Sequence, residues 1–276
     1  MKELAGKTAF VTGGASGIGF ALGHAFAAAG MKVILADIET DALAAAVKSL
    51  HDIGAEVRGV TCDVADPVSV ERAAKASYEA FGNVHVVCNN AGVAAGGGID
   101  NISLDNWRWV LDVNLMGVLY GIRSFLPHIR AHGEGGHIVN TASMAGMLSG
   151  LGFSPYAASK FAVVTMSEGL AKELEPLGIG VTVLCPGFVR TRISESGRNR
   201  PERYGSMLTP GPATPAGVFA SHIAELVKAG LEPSDVAARV LTAIRQNELY
   251  AFTHPKMRPE TEQRFATILA AMDTAR

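Results

Sequence analysis

Thr12-Gly13-Gly14-Ala15-Ser16-Gly17-Ile18-Gly19 is the stretch on which the reading of this chain turns. It follows a short apolar run at 7–12 and leads into an Ala-rich, helix-like stretch at 17–29. Glycines at such a junction let the backbone turn tightly, and they bring N–H groups close to a phosphate at the helix N-terminus. The spacing is G-x-x-x-G-x-G rather than the commoner G-x-G-x-x-G. By itself the turn is as readily structural as ligand-binding, but its place between a strand and a helix favours a dinucleotide.

Outward from that turn, short β-branched runs keep alternating with longer helical patterns. Strands are expected at 7–12, 32–36, 56–61, 84–88, 137–141 and 180–184, with helices at 17–29, 41–53, 104–131 and 154–175. A further helix is announced by Asp66-Pro67, a capping residue followed by proline at the first helical position. The rhythm breaks at 190–232, where Pro201, Pro210, Pro212 and Pro215 stand among Gly, Ser and Arg residues. A structureless stretch that long inside a domain reads as a substrate lid. A helix at 234–246, with Ser234 as its cap, and a strand at 249–252 follow. The tail, 253–276, ends in a short amphipathic helix. The expected fold is α/β: a Rossmann-type doubly wound parallel sheet of about seven strands with helices on both faces, in three layers. Residues 1–276 are expected to form a single dinucleotide-binding and catalytic domain.

Composition narrows the partners. The 276 residues are 48% hydrophobic and 18% charged, with a net charge of −2. Such a balance offers no electrostatic case for nucleic acid or an anionic membrane, so a small molecule is the expected partner. Cys62, Cys88 and Cys185 are an odd number without paired spacing, which fits buried thiols in a reducing compartment. The N-terminus lacks the apolar core and cleavage site of a signal peptide. No stretch reads as the ~18 apolar residues that span a bilayer. A cytoplasmic protein is the expectation.

Asp37 ends the second strand, 18 residues after Gly19. A carboxylate there accepts hydrogen bonds from both adenosine ribose hydroxyls and repels a 2′-phosphate. No Lys or Arg lies between Gly13 and Gly19, or directly after Asp37, to receive such a phosphate. NAD is therefore favoured over NADP, the alternative for Asp37 being a simple helix cap. Further along, Tyr156-Ala157-Ala158-Ser159-Lys160 places a phenol and an ammonium four residues apart, on one helix face. A cation beside the phenol favours the phenolate and lowers its pKa towards the range of an acid–base catalyst. Ser143 follows the 137–141 strand, so it and Tyr156 both face the carboxyl edge of the sheet. Asn114, expected mid-helix among apolar neighbours, is either a satisfied core amide or part of a proton relay.

The ordered set 12–19, Cys62-Asp63-Val64, Asn89-Asn90-Ala91-Gly92, Asn114, Ser143, 156–160 and 186–191 resembles the short-chain dehydrogenase/reductase (SDR) family. The likeness is close from residue 5 to about 192 and weaker to about 252. It implies an NAD-dependent oxidoreductase that acts on CH–OH groups, interconverting a secondary alcohol and a ketone. Tyr156 would be the general acid/base, and Lys160 would hold the nicotinamide ribose. Ser143 would polarise the carbonyl, and Asn114 would position a water linking Lys160 to solvent. Gly13, Ser16, Gly17, Ile18 and Gly19 would form the cofactor turn with Asp37. Asp63 and Val64 would contact the adenine, and Asn90, Ala91 and Gly92 would flank the ribose. Pro186, Gly187, Val189 and Thr191 would dock the nicotinamide. The family also suggests a homo-oligomer, a tetramer or dimer.

The substrate pocket is expected from Val93, Ala94 and Ala95, Met144 and Ala145, Leu151 to Phe153, Phe188 and the lid. Small and apolar, these suit a hydrophobic alcohol, bulky or aromatic. The Thr253-His254-Pro255 tail bears a faint likeness to bacterial dehydrogenases of bulky aryl carbinols. His128 and His132 stand at a metal-binding spacing, but no third ligand is evident nearby and no metal is expected. Trp107 and Trp109 are expected to pack, on different helical faces. Arg192, Arg198, Arg200 and Arg203 are either solvated or face an acidic substrate. Two rival functions stand beside the dehydrogenase: a non-catalytic NAD-sensing protein, and an NAD-using epimerase or dehydratase of related fold.

Overall fold

Strand β1 (Thr8–Thr12) is buried along its whole length, yet its side chains divide between two cores. Phe10 points into one, while Ala9 and Val11 point into the other. The same division recurs on β2 (Lys32–Asp37), where Ile34 and Ala36 oppose Val33 and Leu35. Period-two alternation of apolar residues towards two apolar sides is what a sheet covered on both faces requires. In this computed structural model the described residues are 1–96, 99–150, 152–206 and 214–274.

The remaining strands are β3 (Val57–Thr61), β4 (Val86–Asn89), β5 (Gly136–Thr141), β6 (Ile179–Cys185) and β7 (Tyr250–Phe252). They form one sheet of order β3-β2-β1-β4-β5-β6-β7, and every pairing is parallel. Helices α1 (Gly17–Ala28), α2 (Thr40–Asp52) and α3 (Pro67–Phe81) follow the first three strands. Asp66 caps α3 by accepting a hydrogen bond from Val68 N–H, as Asp66-Pro67 predicts. The chain reverses its winding between β3 and β4, so the carboxyl ends of β1 and β4 diverge and leave a crevice, the usual ligand site of such sheets.

Four expectations need correcting. The helix expected over 104–131 is three pieces: α4 (Leu104–Leu111), a π-helical turn (Asp112–Met116) and α5 (Gly117–His132). A π turn inserts a residue into the helical ladder, and here it carries Asn114. Leu104–His132 is also long and apolar enough to cross a membrane, at hydropathy 1.2. Half of that window is nevertheless buried within the protein, where α4 packs on α6 (Ser154–Leu174) and α5 on α3, as core helices do. The 190–232 stretch is not structureless, because it contains α7 (Pro215–Lys228). Thr214 caps that helix by accepting from Gly217 N–H, and Pro215 occupies its first position. Finally, α8 (Pro233–Gln246) is preceded by Glu232 at the cap position, so Ser234 lies inside the helix. The tail helix α9 (Arg258–Asp273) is 16 residues long and buries none of them.

Candidate active site

The glycine turn is held by backbone contact. Gly13 and Gly17 both have positive φ, at 65° and 53°. A Cβ on Gly19 would lie 1.9 Å from the carbonyl oxygen of Gly13. No side chain as large as alanine's fits there without moving the turn. The first turn of α1 has neither a side-chain cap nor an acidic residue, so no side chain of the turn satisfies its leading N–H groups. Asp37 does not cap α2. One carboxylate oxygen accepts from Ala15 N–H at 2.9 Å and the other from Glu39 N–H at 3.0 Å. It thereby ties the glycine turn to the end of β2, with its carboxylate on the cleft wall.

A buried polar chain carries this order across the sheet edge. Thr12 Oγ1 accepts from the N–H groups of both Asn90 and Ala91, at 2.9 and 3.0 Å. The Asn90 side-chain amide donates to Thr12 O at 3.0 Å, and its Oδ1 accepts from the Thr141 hydroxyl at 3.3 Å. The Thr141 carbonyl in turn accepts from Lys160 Nζ at 2.8 Å. Three strand ends and one ammonium are thus fixed relative to each other by groups that are buried or partly buried.

Lys160 is buried on α6, and its Nζ lies 5.6 Å from the centre of the Tyr156 ring. Burial pushes its ammonium down to about 8. The expectation that the lysine lowers the tyrosine pKa is not met: burial pushes the Tyr156 phenol up, and only its hydrogen bond with Ser143 opposes this. The cause is distance and desolvation. An ammonium 5.6 Å from the ring centre, itself weakened by burial, does not offset the loss of water around the hydroxyl. Ser143 Oγ accepts from Ala145 N–H at 3.1 Å and donates to Pro186 O at 3.3 Å.

Asn114 is fully buried. Its Oδ1 accepts from Val93 N–H at 2.8 Å, and its Nδ2 donates to Val93 O and Ser159 Oγ at 3.0 and 3.2 Å. The side chain is thus a satisfied core amide that pairs with the backbone of Val93, beyond the end of β4. A Cβ built on Gly92 would be 3.5 Å from both Asn114 Oδ1 and Lys160 Nζ, so the two side chains flank one glycine.

All the other cofactor candidates meet along one cleft of about 420 Å³: Gly13, Ser16, Gly17, Ile18, Asp37, Asp63, Val64, Asn90, Ala91, Gly92, Tyr156, Lys160, Pro186, Gly187, Val189 and Thr191. Gly19 supports the turn from beneath. Of the substrate candidates, Ser143, Ala94, Met144, Ala145, Phe153 and Phe188 line the same cleft. Ala95 does not, being buried in the hydrophobic core. Leu151 lies outside the described residues. The expected lid contributes Ile193, Ser196, Ile223 and Val227 to the cleft, whereas sequence reasoning missed the lining residues Trp109, Val113 and Met257. The Thr214-Pro215 start signal could have located α7 and with it Ile223 and Val227; nothing in the sequence marks Met257.

Three of the four arginines at 192–203 are engaged by other parts of the chain, while Arg192 pairs only locally on the exposed surface. Arg198 grips Glu39, Arg203 pairs with Asp63 at 2.7 Å and Arg192 pairs with Glu195. Arg200 stacks over Trp109 and donates to Asn106 and to two backbone carbonyls. Asp63, expected to contact adenine, therefore also anchors this segment. The histidine pair does have further candidate ligands, since His132, His85 and Glu134 bring ligand atoms within 4.8 Å of one another. Their ring nitrogens are already engaged. His85 bonds Thr8 N–H and Glu134, and His132 bonds Val84 O and Glu134 N–H, which makes the cluster a clasp between α5 and the sheet.

The matches with known proteins agree with this geometry. A family model described as short chain dehydrogenase matches residues 7–202. A C alpha-dehydrogenase of Sphingobium sp. strain SYK-6 is 35% identical over 98% of this chain and 87% of its own length. A CLA biosynthesis dehydrogenase/reductase of Lactiplantibacillus plantarum is 34% identical over 98% of this chain and 95% of its own. The crystal structure of an SDR from Burkholderia phymatum in complex with NAD superimposes with a TM-score of 0.94 at 41% identity, covering 98% of this chain and 97% of that one. With its parallel sheet, its glycine turn and relatives named as dehydrogenases along nearly its whole length, the chain belongs to the short-chain dehydrogenase/reductase family of oxidoreductases.

Proposed function

We propose that the protein is an NAD-dependent dehydrogenase that interconverts a hydrophobic secondary alcohol and its ketone, with Tyr156 as general acid/base. The observation that carries this reading is the convergence of Ser143, Tyr156 and Lys160 on the cleft that the glycine turn and Asp37 also line. The residues suit a dinucleotide: the close-packed Gly13–Gly19 contact leaves the uncapped start of α1 open to a pyrophosphate. When bound, the nicotinamide supplies a hydride acceptor or donor. Asp37, Glu39 and Asp63 gather three carboxylates at the adenosine end, and the guanidiniums beside them are already held, Arg198 by Glu39 and Arg203 by Asp63. That balance favours NAD over a cofactor bearing a 2′-phosphate.

In the reducing direction, the raised pKa keeps Tyr156 protonated, so it can give its proton to the substrate oxygen. In the oxidising direction it takes the alcohol proton, and the Lys160 charge is the nearest on this chain to favour the phenolate. Ser143 turns its hydroxyl from Pro186 O to the substrate oxygen. The Asn114 side chain is already spent, so a relay water linking Lys160 to solvent would hang on the main chain of the π turn. Residues 190–232 act as a lid. Ile193, Ile223 and Val227 bring apolar surface to the cleft opposite Phe153 and Phe188, which suits a bulky hydrophobic substrate.

Tyr156→Phe tests the mechanism. NADH binding should stay within about twofold, while turnover of any active alcohol or ketone, read by NADH absorbance, falls by about 10²–10⁴. Retained turnover refutes the role of Tyr156. Cofactor binding without turnover of any substrate by the unmodified protein would point to a sensor.

A further inference from the structure

The turn 186–188 sits between two brackets. From the cleft side, its Pro186 carbonyl accepts from the Ser143 hydroxyl at 3.3 Å and from Met144 N–H at 2.8 Å. From the far side it meets His254, which arrives just after β7, near the start of the tail. Gly187 N–H donates to His254 Nδ1 at 3.0 Å, and His254 Nε2 bonds Phe188 O at 3.1 Å. The first bond fixes the tautomer: Nδ1 must accept, so Nε2 carries the proton and donates. The Thr253 hydroxyl, 2.7 Å from Nδ1, completes the same arrangement as a second donor. Contact is close, since a Cβ on Gly187 would lie 2.7 Å from His254 Cγ. Glycine at 187 is what lets the ring approach.

We propose that His254 is a positioning residue, which holds the nicotinamide-docking turn in place while Ser143 is drawn away to the substrate. This rests on the reading that 186–191 docks the nicotinamide. When Ser143 gives its hydrogen bond to the substrate oxygen, Pro186 O loses one of its two partners. His254 bonds the next two residues on their other side, with one acceptor and one donor, and neither bond needs to change during the reaction. The imidazole touches neither reacting atom; it acts through the backbone of Gly187 and Phe188.

The test compares NADH with ADP-ribose, which shares the adenosine and pyrophosphate but lacks the nicotinamide, on the full-length protein. His254→Leu should weaken NADH binding by about tenfold, from the loss of two hydrogen bonds, and leave ADP-ribose within twofold. His254→Asn, whose Oδ1 can still accept from Gly187 N–H, should recover part of the loss. In turnover, the leucine variant should raise KM for the cofactor more than it lowers kcat. Equal weakening of both ligands would make His254 a merely structural residue, and unchanged NADH affinity in both variants would remove any role; either result overturns the proposal. If the unmodified protein bound ADP-ribose and NADH equally well, the docking of nicotinamide at 186–191 would itself fail, and the His254 role with it.

Discussion

The two walls of the cleft are built on opposite principles. The sheet-edge wall, from the glycine turn to Lys160, is held by backbone contacts and partly buried neutral hydrogen bonds: Gly19 on Gly13, Thr12 on Asn90 and Ala91, Thr141 on Asn90. Among its described residues, the 190–232 wall adds ion pairs to a few hydrogen bonds such as Ala94 N–H on Ser196 Oγ. Arg198 reaches Glu39 and Arg203 reaches Asp63, both pairs at least partly exposed to water. Buried networks in a low-dielectric setting are rigid and costly to break, whereas exposed ion pairs are weak and sensitive to salt. One wall is thus made to hold a geometry, and the other can let go.

Gly19→Ala should break the first wall outright. The new methyl would lie 1.9 Å from a backbone oxygen that cannot move without opening the turn. Overpacking of this kind costs about 3 kcal/mol or more, so NADH affinity should fall at least about a hundredfold. A variant that binds NADH normally would show that the turn is pliable. Thr12→Val keeps the shape and removes only the oxygen. It strands the partly buried N–H groups of Asn90 and Ala91, at roughly 1–2 kcal/mol each, and urea unfolding should register roughly 2–4 kcal/mol in all. A loss under about 1 kcal/mol would mean that water reaches those groups and the wall is not a dry network.

The contrast extends to pH. Fully buried His137 on β5 is pushed down to about 3 by burial. Its folded pKa lies below the unfolded value of about 6.5, so stability is complete above that value and falls as the pH drops towards 3, by about 1.4 kcal/mol per unit. Glu39 is also lowered, chiefly by its hydrogen bond from Arg198. For a carboxylate this means the pair is present above the unfolded pKa and lost only as pH falls through the lowered one. Between pH 6.5 and 4.5 the sheet should therefore weaken while the Glu39–Arg198 contact persists. Urea midpoints across that range should slope for the unmodified protein and flatten in His137→Gln. An unchanged slope would assign the effect elsewhere.

What the sequence disclosed follows the same division. Gly13, Gly19, Asp37 and the Tyr156–Lys160 spacing are local patterns, and local patterns fix the turn, the strand end and the helix face that build the first wall. The second wall depends on long-range pairing. Arg198 and Glu39 are 159 residues apart, and neither carries a mark of the other. The π turn was invisible because hydrophobic periodicity runs straight through 104–131, while tertiary demand from Asn114 on Val93 decides the backbone there. Proline density hid α7, although Thr214-Pro215 is a helix start. The expected effect of Lys160 on Tyr156 missed because spacing gives the helix face but not the desolvation of the groups on it.

The smallest expected effect is the most informative about the second wall. Glu39 accepts from Arg198 Nη2 at 2.8 Å, from Arg198 Nε at 3.2 Å and from Asn199 Nδ2 at 2.9 Å, with both charged side chains about one quarter exposed (24% and 22%). Removing one charge by Glu39→Gln should cost less than about 1 kcal/mol of stability, since water already screens the pair. Its effect should fall on motion, because Glu39 stands at the adenosine end of the cleft and Arg198 on the segment that covers it. NADH dissociation, followed by stopped-flow fluorescence, should quicken severalfold in Glu39→Gln. The unmodified protein should approach the variant's rate in 1 M salt, where the Debye length shrinks to about 3 Å. The variant itself should respond little to salt. If salt accelerates both equally, the Arg203–Asp63 pair is the controlling contact. If neither salt nor the substitution changes the rate, the wall is held by contacts other than ion pairs, such as Ala94 N–H on Ser196 Oγ and the Tyr204 hydroxyl on Asp112, and the charge-held half of the comparison falls.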